Sequence, residues 1–181
     1  MAADVAALLR RLAALKGKRT AVENEWKKCY DFSMPMRGAL LSAGGTAGAD
    51  GNLSEGASKK ADLLDSTATD AVRIHASALM SGLTPANSRW FGLDVETGKE
   101  GDEDAARKWL DEVAESIWEQ IHASNFDAVG FDCCIDMTIA GQFAMFIGEN
   151  ETGLQFEQWP LASCYFGAST RGGAIDTVFR E

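Results

Sequence analysis

The chain has 181 residues, of which 46% are hydrophobic and 24% charged, the make-up of an ordinary folded domain and not of a disordered tail. At this length a single domain buries roughly 70% of its unfolded surface, so a core can form without a metal or a disulfide. Seventeen Lys and Arg against 27 Asp and Glu leave a net charge of −10, which argues against broad binding of polyanions, because that requires clustered cations.

The four cysteines, Cys29, Cys133, Cys134 and Cys164, show no C-x-x-C spacing, and two of them are adjacent. Neither a zinc ribbon nor a common disulfide framework uses that pattern, so a reducing, cytosolic setting is expected. The opening MAADVAALLRRLAALKG mixes charge with apolar side chains, unlike a signal peptide. No segment approaches the roughly 20 apolar residues of a membrane span, and no membrane partner is expected.

In chain order, the spacing of Leu8, Leu9, Leu12, Leu15, Val22 and Trp26 predicts a first helix from residue 4 to about 30, capped by Asp4. Arg10, Arg11, Lys16, Lys18 and Arg19 lie largely off that stripe and read as a solvated basic face, or else as a contact with an acidic neighbour or nucleic acid. Residues 38–57 are rich in Gly, Ala and Ser and read as a flexible loop. The glycines Gly44, Gly45, Gly48 and Gly51 do not match a dinucleotide fingerprint. Asp50, Asn52 and Ser54 imitate the start of a calcium loop, but Glu55 and Ala61 stand where Gly and a bidentate Glu are needed.

Residues 58–81 predict a second helix, capped by Ser58, with Leu64, Ala68, Ala71, Ile74, His75, Ala78 and Leu79 on one side and small residues elsewhere, hence burial on more than one face. Ser81-Gly82 and Thr84-Pro85 end it. Trp90 to Val95 alternates like a strand, and the following Thr97-Gly98-Lys99-Glu100 fails as a phosphate loop by spacing and by Glu100. Asp102, Glu103 and Asp104 open a third helix with Ala106, Trp109, Leu110, Val113, Ile117 and Ile121 towards a core. Ser124 or Asn125 caps a fourth, carrying Phe126, Val129, Cys133, Met137 and Ala140 and ending at Gly141. Short β-like segments follow at 143–147, 154–159, 164–166 and 175–180, with Gly148, Gly153, Pro160, Gly167, Gly172 and Gly173 as turns. The fold class is therefore α+β: about four helices and then a small, mainly antiparallel β meander.

Catalytic chemistry is hard to assemble from this set. His75 and His122 are the two histidines, and neither has a G-x-S-x-G or H-E-x-x-H context. His75 reads as a packed histidine and His122 as a cation at a helix C-terminus. Asp127, Asp132 and Asp136 recur along one helix without a Glu-x-x-His partner and read as a solvated acidic face. No catalytic, cofactor-binding or metal-binding residue is assigned, and an assembly or interaction role is expected.

Residues 65–93, DSTATDAVRIHASALMSGLTPANSRWFGL, resemble the head-to-tail connector, or portal, proteins of short-tailed bacteriophages. The resemblance continues in order through Trp26 to Phe32 and Pro35, Trp109-Leu110, Ser124-Asn125-Phe126, Asp136-Met137, Gly141, Phe143 to Ile147, Glu149 and the closing IDTVFRE. It covers nearly the whole chain apart from the Gly-rich loop. It implies a non-enzymatic structural protein of the virion: a ring of identical subunits, usually twelve, at one capsid vertex. Its partners would be capsid and scaffold proteins, the packaging terminase, tail proteins, and double-stranded DNA passing through the channel during packaging and ejection. Family members are longer, so residues 1–181 are expected to form a single wing-like α+β domain without stem, clip or crown. By itself that domain would be a monomer or small oligomer, with the strand ending at Glu181 left with an unpaired edge or a missing neighbour. Two other readings compete: an acidic helical adaptor that binds a partner protein through residues 38–57 and the basic first helix, and a hydrolase using Asp127, Asp132 and Asp136 with a divalent cation.

Overall fold

The computed structural model describes residues 5–42, 62–94, 103–151, 153–169 and 172–180. Among the described residues, five helices precede two strand pairs: α1 (Val5–Ser33), α2 (Pro35–Ser42), α3 (Thr67–Leu83), α4 (Glu103–Ala123), α5 (Phe126–Ala140), β1 (Met145–Asn150), β2 (Gly153–Gln158), a 3-10 turn (Leu161–Ser163), β3 (Cys164–Gly167) and β4 (Thr177–Arg180). The α+β class agrees with the sequence. Most of the Gly-rich loop, the Asp4 and Ser58 caps, the calcium-loop mimic and the Thr97–Glu100 motif lie outside the described residues.

Helix α5 is the axis of the domain. Helices α1, α3 and α4 and strand β2 all pack on it. The main core joins Trp26 and Tyr30 of α1 to Ala144, Leu161 and Cys164, with Ile139, Ala140, Trp159 and Phe166 against them. A second nest is aromatic. Phe126 meets Phe156 at 5.1 Å, His122 at 5.8 Å and Trp90 at 6.2 Å between ring centroids, so α4, α5, β2 and the segment after α3 converge on one ring.

Helix α2 was not foreseen, and residues 38–42, assigned to the loop, complete it. Pro35 supplies a first helical residue with φ already set, and it needs no N–H donor there. A Cβ at Gly38 would lie 2.9 Å from Tyr30 Cβ, so glycine is what lets α2 fold back so closely on α1.

Helix α3 begins at Thr67; of the helix expected over 58–81, residues 62–66 are not helical and residues 58–61 lie outside the described residues. Asp65 accepts a hydrogen bond from the Thr67 N–H at 3.0 Å and Ser66 bonds the Asp70 carboxylate at 2.8 Å, so the Asp-Ser-Thr run makes the start locally. The expected core stripe is turned outward. Ala76 is the buried residue of α3, flanked by half-buried Val72, Leu79 and Met80, whereas Ala71, His75 and Ala78 are exposed and Ile74 is 72% exposed. The packing face is set by Met80 against Gly130 of α5 and by Thr69, which donates to Ser33 O at 2.7 Å.

The periodicities of α1 and α4 overshoot in the same way. In α1, burial is confined to Trp26, Tyr30 and Ser33, while Val5, Leu8, Leu9 and Val22 are exposed. In α4, Ala114 is buried and Trp109 and Ile117 are exposed. Residues 90–94 form no strand: Trp90 stacks on Phe126, and Arg89 donates to the Asp111 carbonyl at 3.0 Å and carboxylate at 2.8 Å, which straps the segment along α4.

The strands form two separate antiparallel pairs, not one meander. Strand β1 pairs with β2 from Met145↔Gln158 to Asn150↔Gly153, which places Gly148 inside the strand and not at a turn. Strand β4 pairs with β3, from Cys164↔Arg180 to Gly167↔Thr177, and as half of a two-stranded sheet it keeps one unpaired edge among the described residues. The pairs are joined by a stack: Phe146 lies parallel to Trp159 at 4.8 Å, and the Arg180 guanidinium covers the Trp159 ring at 4.4 Å.

The four cysteines are free thiols. Burial, with Asp136 nearby, pushes the Cys133 thiol up to about 12 from 9.0, and Cys164 is also buried, whereas Cys29 is exposed. At neutral pH the thiolate of Cys133 is then scarcer on the order of a thousandfold than that of an ordinary thiol. A thiol titration of the native protein should give fast labelling of Cys29, slower labelling of half-buried Cys134, and protection of Cys133 and Cys164 until denaturant is added.

Candidate functional site

The most polar part of the interior lies where α1, α2, α5 and β2 meet. Asp136 is 4% exposed. Its Oδ1 accepts from the Tyr30 hydroxyl and from Arg37 Nη1, both at 2.9 Å, and its Oδ2 accepts from the Gln158 amide. Arg37 also reaches the Asp132 carboxylate, so its guanidinium forks between two acids one helical turn apart. Burial pushes the Asp136 carboxyl up, against the Arg37 charge and the hydrogen bonds that pull it down. Burial and the Asp136 charge together drive the Tyr30 phenol well above its ordinary range. An open pocket of about 230 Å³ adjoins the cluster and is also lined by Pro160, Leu161 and Ala162. No activated nucleophile stands in it, and the arrangement serves to pin four elements together.

This geometry corrects the reading of Asp127, Asp132 and Asp136 as one solvated face. Asp136 is buried, Asp132 pairs with Arg37, and Asp127 pairs with His122 Nδ1 at 2.9 Å. A carboxylate every four or five residues looks alike in sequence whether it faces water or an arginine from another element. Arg37, 95 to 99 residues away, gave no local signal. Among the described residues, no three His, Cys, Asp or Glu side chains gather so as to hold a metal ion. His122 sits at the end of α4, as expected, packed on Trp118 at 5.0 Å. His75 is exposed and bonds Thr138 Oγ1 at 3.1 Å.

The basic run of α1 is not one solvated face either. Arg19 donates to the carbonyls of Leu161 at 3.0 Å, Ala162 at 2.6 Å and Cys164, and its guanidinium covers the Tyr165 ring at 3.7 Å. Arg11 pairs with Asp176 at 2.7 Å. Hydrogen bonds from Ser169 and Thr177 hold the Asp176 carboxyl far below its usual range. Arg10 and Lys18 remain exposed. At the far side of the domain, Asn125 acts as a strand neighbour: its amide donates to Phe156 O at 2.7 Å and accepts from Phe156 N–H at 2.9 Å. The sequence offers Ser124 or Asn125 as the cap of α5: the Asn125 side chain makes no capping bond, whereas Ser124 Oγ accepts from the Phe126 N–H at 3.2 Å.

Apolar side chains remain outward on α1 (Val5, Leu9), α3 (Ile74) and α4 (Trp109). The family model for bacteriophage head to tail connecting proteins matches residues 5–181. The chain belongs to this family. Among curated relatives, this connector-family chain is 29% identical over 175 residues to the portal protein of Salmonella phage epsilon15, and 22% identical over 174 residues to the probable portal protein of Bordetella phage BPP-1. Each match covers 96% of the chain and 30% of the relative, so the connector chain spans about a third of their length. No helix among its described residues is long and apolar enough to cross a membrane.

Proposed function

We propose that this chain is part of a structural portal subunit, a wing-like domain in the ring at a capsid vertex through which DNA is packaged and ejected and to which the tail attaches. The observation that carries the reading is the match of the connector family over residues 5–181, together with two relatives that bear the portal name. Identical subunits are the first partners. Capsid, scaffold, terminase and tail proteins follow from the same role, with double-stranded DNA as the transported polymer and the virion as the final location. A non-enzymatic role accords with membership of the head to tail connecting family.

The surface supports the reading. Apolar side chains on α1, α3 and α4 that face outward in one protomer suit a chain whose neighbours cover them. The charge of −10 suits a conduit wall along which DNA slides without being held. Negative-stain imaging of the product of the intact gene should show rings with a central hole. Discrete particles without a hole would overturn the proposal.

A further inference from the structure

We propose that the outer edge of β1 takes a third strand: an extended polypeptide segment that runs antiparallel to β1 and presents a cation followed by two alternating apolar side chains. The contact is independent of the ring reading above.

An open sheet edge offers a row of unpaired N–H and C=O groups, and folded chains ordinarily cover it or break it with a proline, a lysine or a bulge. Two of the edges in this domain are covered by side chains. The Asn125 amide takes both main-chain groups of Phe156 on the outer side of β2, and Arg19 takes the Cys164 carbonyl of β3. Strand β1 has none of these devices. It is six residues long, its pairing with β2 runs unbroken from Met145↔Gln158 to Asn150↔Gly153, and its sequence MFIGEN holds no proline and no lysine. The phase of the ladder fixes which groups are open. Since Phe156 points its N–H and C=O away from β1, towards Asn125, its partner Ile147 points its own away from β2, and so do Met145 and Glu149 on either side of it. Among the described residues no hydrogen bond meets the Ile147 main chain on that side.

The side chains along the edge select the strand that fits. Phe126 packs on Phe156 at 5.1 Å between ring centroids, and Ile147 lies opposite Phe156 in the neighbouring strand. Phe156 is 4% exposed and Ile147 60%, so this apolar row, which crosses from α5 over β2 to β1, stops one strand short of a cover. A side chain of a third strand opposite Ile147 would supply it, and the one opposite Met145, on the same face, would be apolar as well. Opposite Glu149 the match is a lysine or arginine. The hairpin carries Glu149, Glu151 and Glu157 and no Lys or Arg over residues 145–158, a charge that favours a basic segment and works against pairing with the equally acidic edge of a second copy. On the other face of β1, Phe146 stacks on Trp159 at 4.8 Å, so the strand is held extended before a partner arrives and little ordering is left for binding to impose. An antiparallel partner is the stronger choice per residue.

The probe is a synthetic peptide, acetyl-Lys-Thr-Val-Thr-Ile-Thr-amide, titrated into the isotopically labelled 181-residue chain and followed by NMR. Saturable shifts are expected at the Met145, Ile147 and Glu149 amides, with slower exchange of the Ile147 N–H. Methylating the main-chain nitrogen of the peptide's Val, which sits opposite Ile147, should weaken binding about tenfold, and so should replacing its Lys by Glu. Ile147→Pro removes the outward N–H without touching a β1–β2 bond, and should abolish binding while the cross-strand contacts of the hairpin persist in the spectra. Glu149→Lys, at an exposed position, should reverse the preference, so that the Glu peptide binds better than the Lys peptide. Wild type without saturable shifts overturns the proposal, as do shifts confined to other surfaces, equal binding of the methylated peptide, or an unchanged preference in Glu149→Lys. If Ile147→Pro loses the hairpin, the methylated peptide and Glu149→Lys carry the test.

Discussion

Asp136→Ala is expected to lower the unfolding free energy by about 3–5 kcal/mol, because it strands the partners of a buried, charge-paired carboxylate. The Tyr30 hydroxyl, Arg37 and the Gln158 amide all bond this one side chain, and they come from three different elements, so nothing local can replace it. Asp136→Asn should be much milder, since it keeps the volume and an acceptor and removes a charge that burial already disfavours. The pH dependence has a definite sign. The folded-state pKa lies above the ordinary 3.8, so the folded chain holds this proton more tightly than the unfolded chain. The stability linked to it is fully present below the unfolded pKa and is lost as pH rises through the folded one. The difference between wild type and Asp136→Asn should therefore move in favour of wild type as pH falls from neutral towards 4. Urea unfolding at several pH values reads both effects. A loss below about 1 kcal/mol for Asp136→Ala would mean that the cluster is not the pin described here.

Arg19→Ala should cost about 3 kcal/mol, the combined loss of charge-assisted bonds to three carbonyls and of the stacking on Tyr165. Its side chain is 11% exposed, so water cannot readily take over the Leu161, Ala162 and Cys164 carbonyls. Arg19→Lys should recover only part of the loss, because one ammonium cannot cover three acceptors and a ring together. Amide exchange separates this effect from general weakening. Protection should fall first in residues 161–167 and in β4 and be retained in the β1–β2 hairpin. A uniform loss across the domain would contradict the local role of Arg19.

These two residues also mark the limit of what the sequence discloses. Helices α1, α4 and α5 and all four strands follow from periodicity, breakers and β-rich runs, since those signals are local. The αL residue Gly141, with φ of 74°, stops α5 where the sequence places the stop. Which side of a helix is buried did not follow. In α3 the stripe through Ile74 and Ala78 has the correct period, but the domain packs on Val72, Ala76 and Met80, because Gly130 on α5 accepts Met80 and sets the rotation. Periodicity measures the angular width of an apolar face; it does not record whether the cover comes from the same chain or from another. The polar cluster was invisible for a related reason. Asp136 and Arg37 look like surface residues until the fold brings them together, and Asp127, with the same spacing signal, pairs with His122 instead. The family resemblance was legible because it depends on the order of short segments and not on any one contact.

The seating of α1 also imposes an order of events. Its bonds to Leu161 and Asp176 span 142 and 165 residues, so they can form only after almost every other described residue has been synthesised. Until then the first turns of α1, with Leu8, Leu9 and Arg10, have no place on the domain. A nascent chain cannot present this helix in a fixed orientation, and a neighbour that requires that orientation would recognise only copies whose β3–β4 pair is already in place.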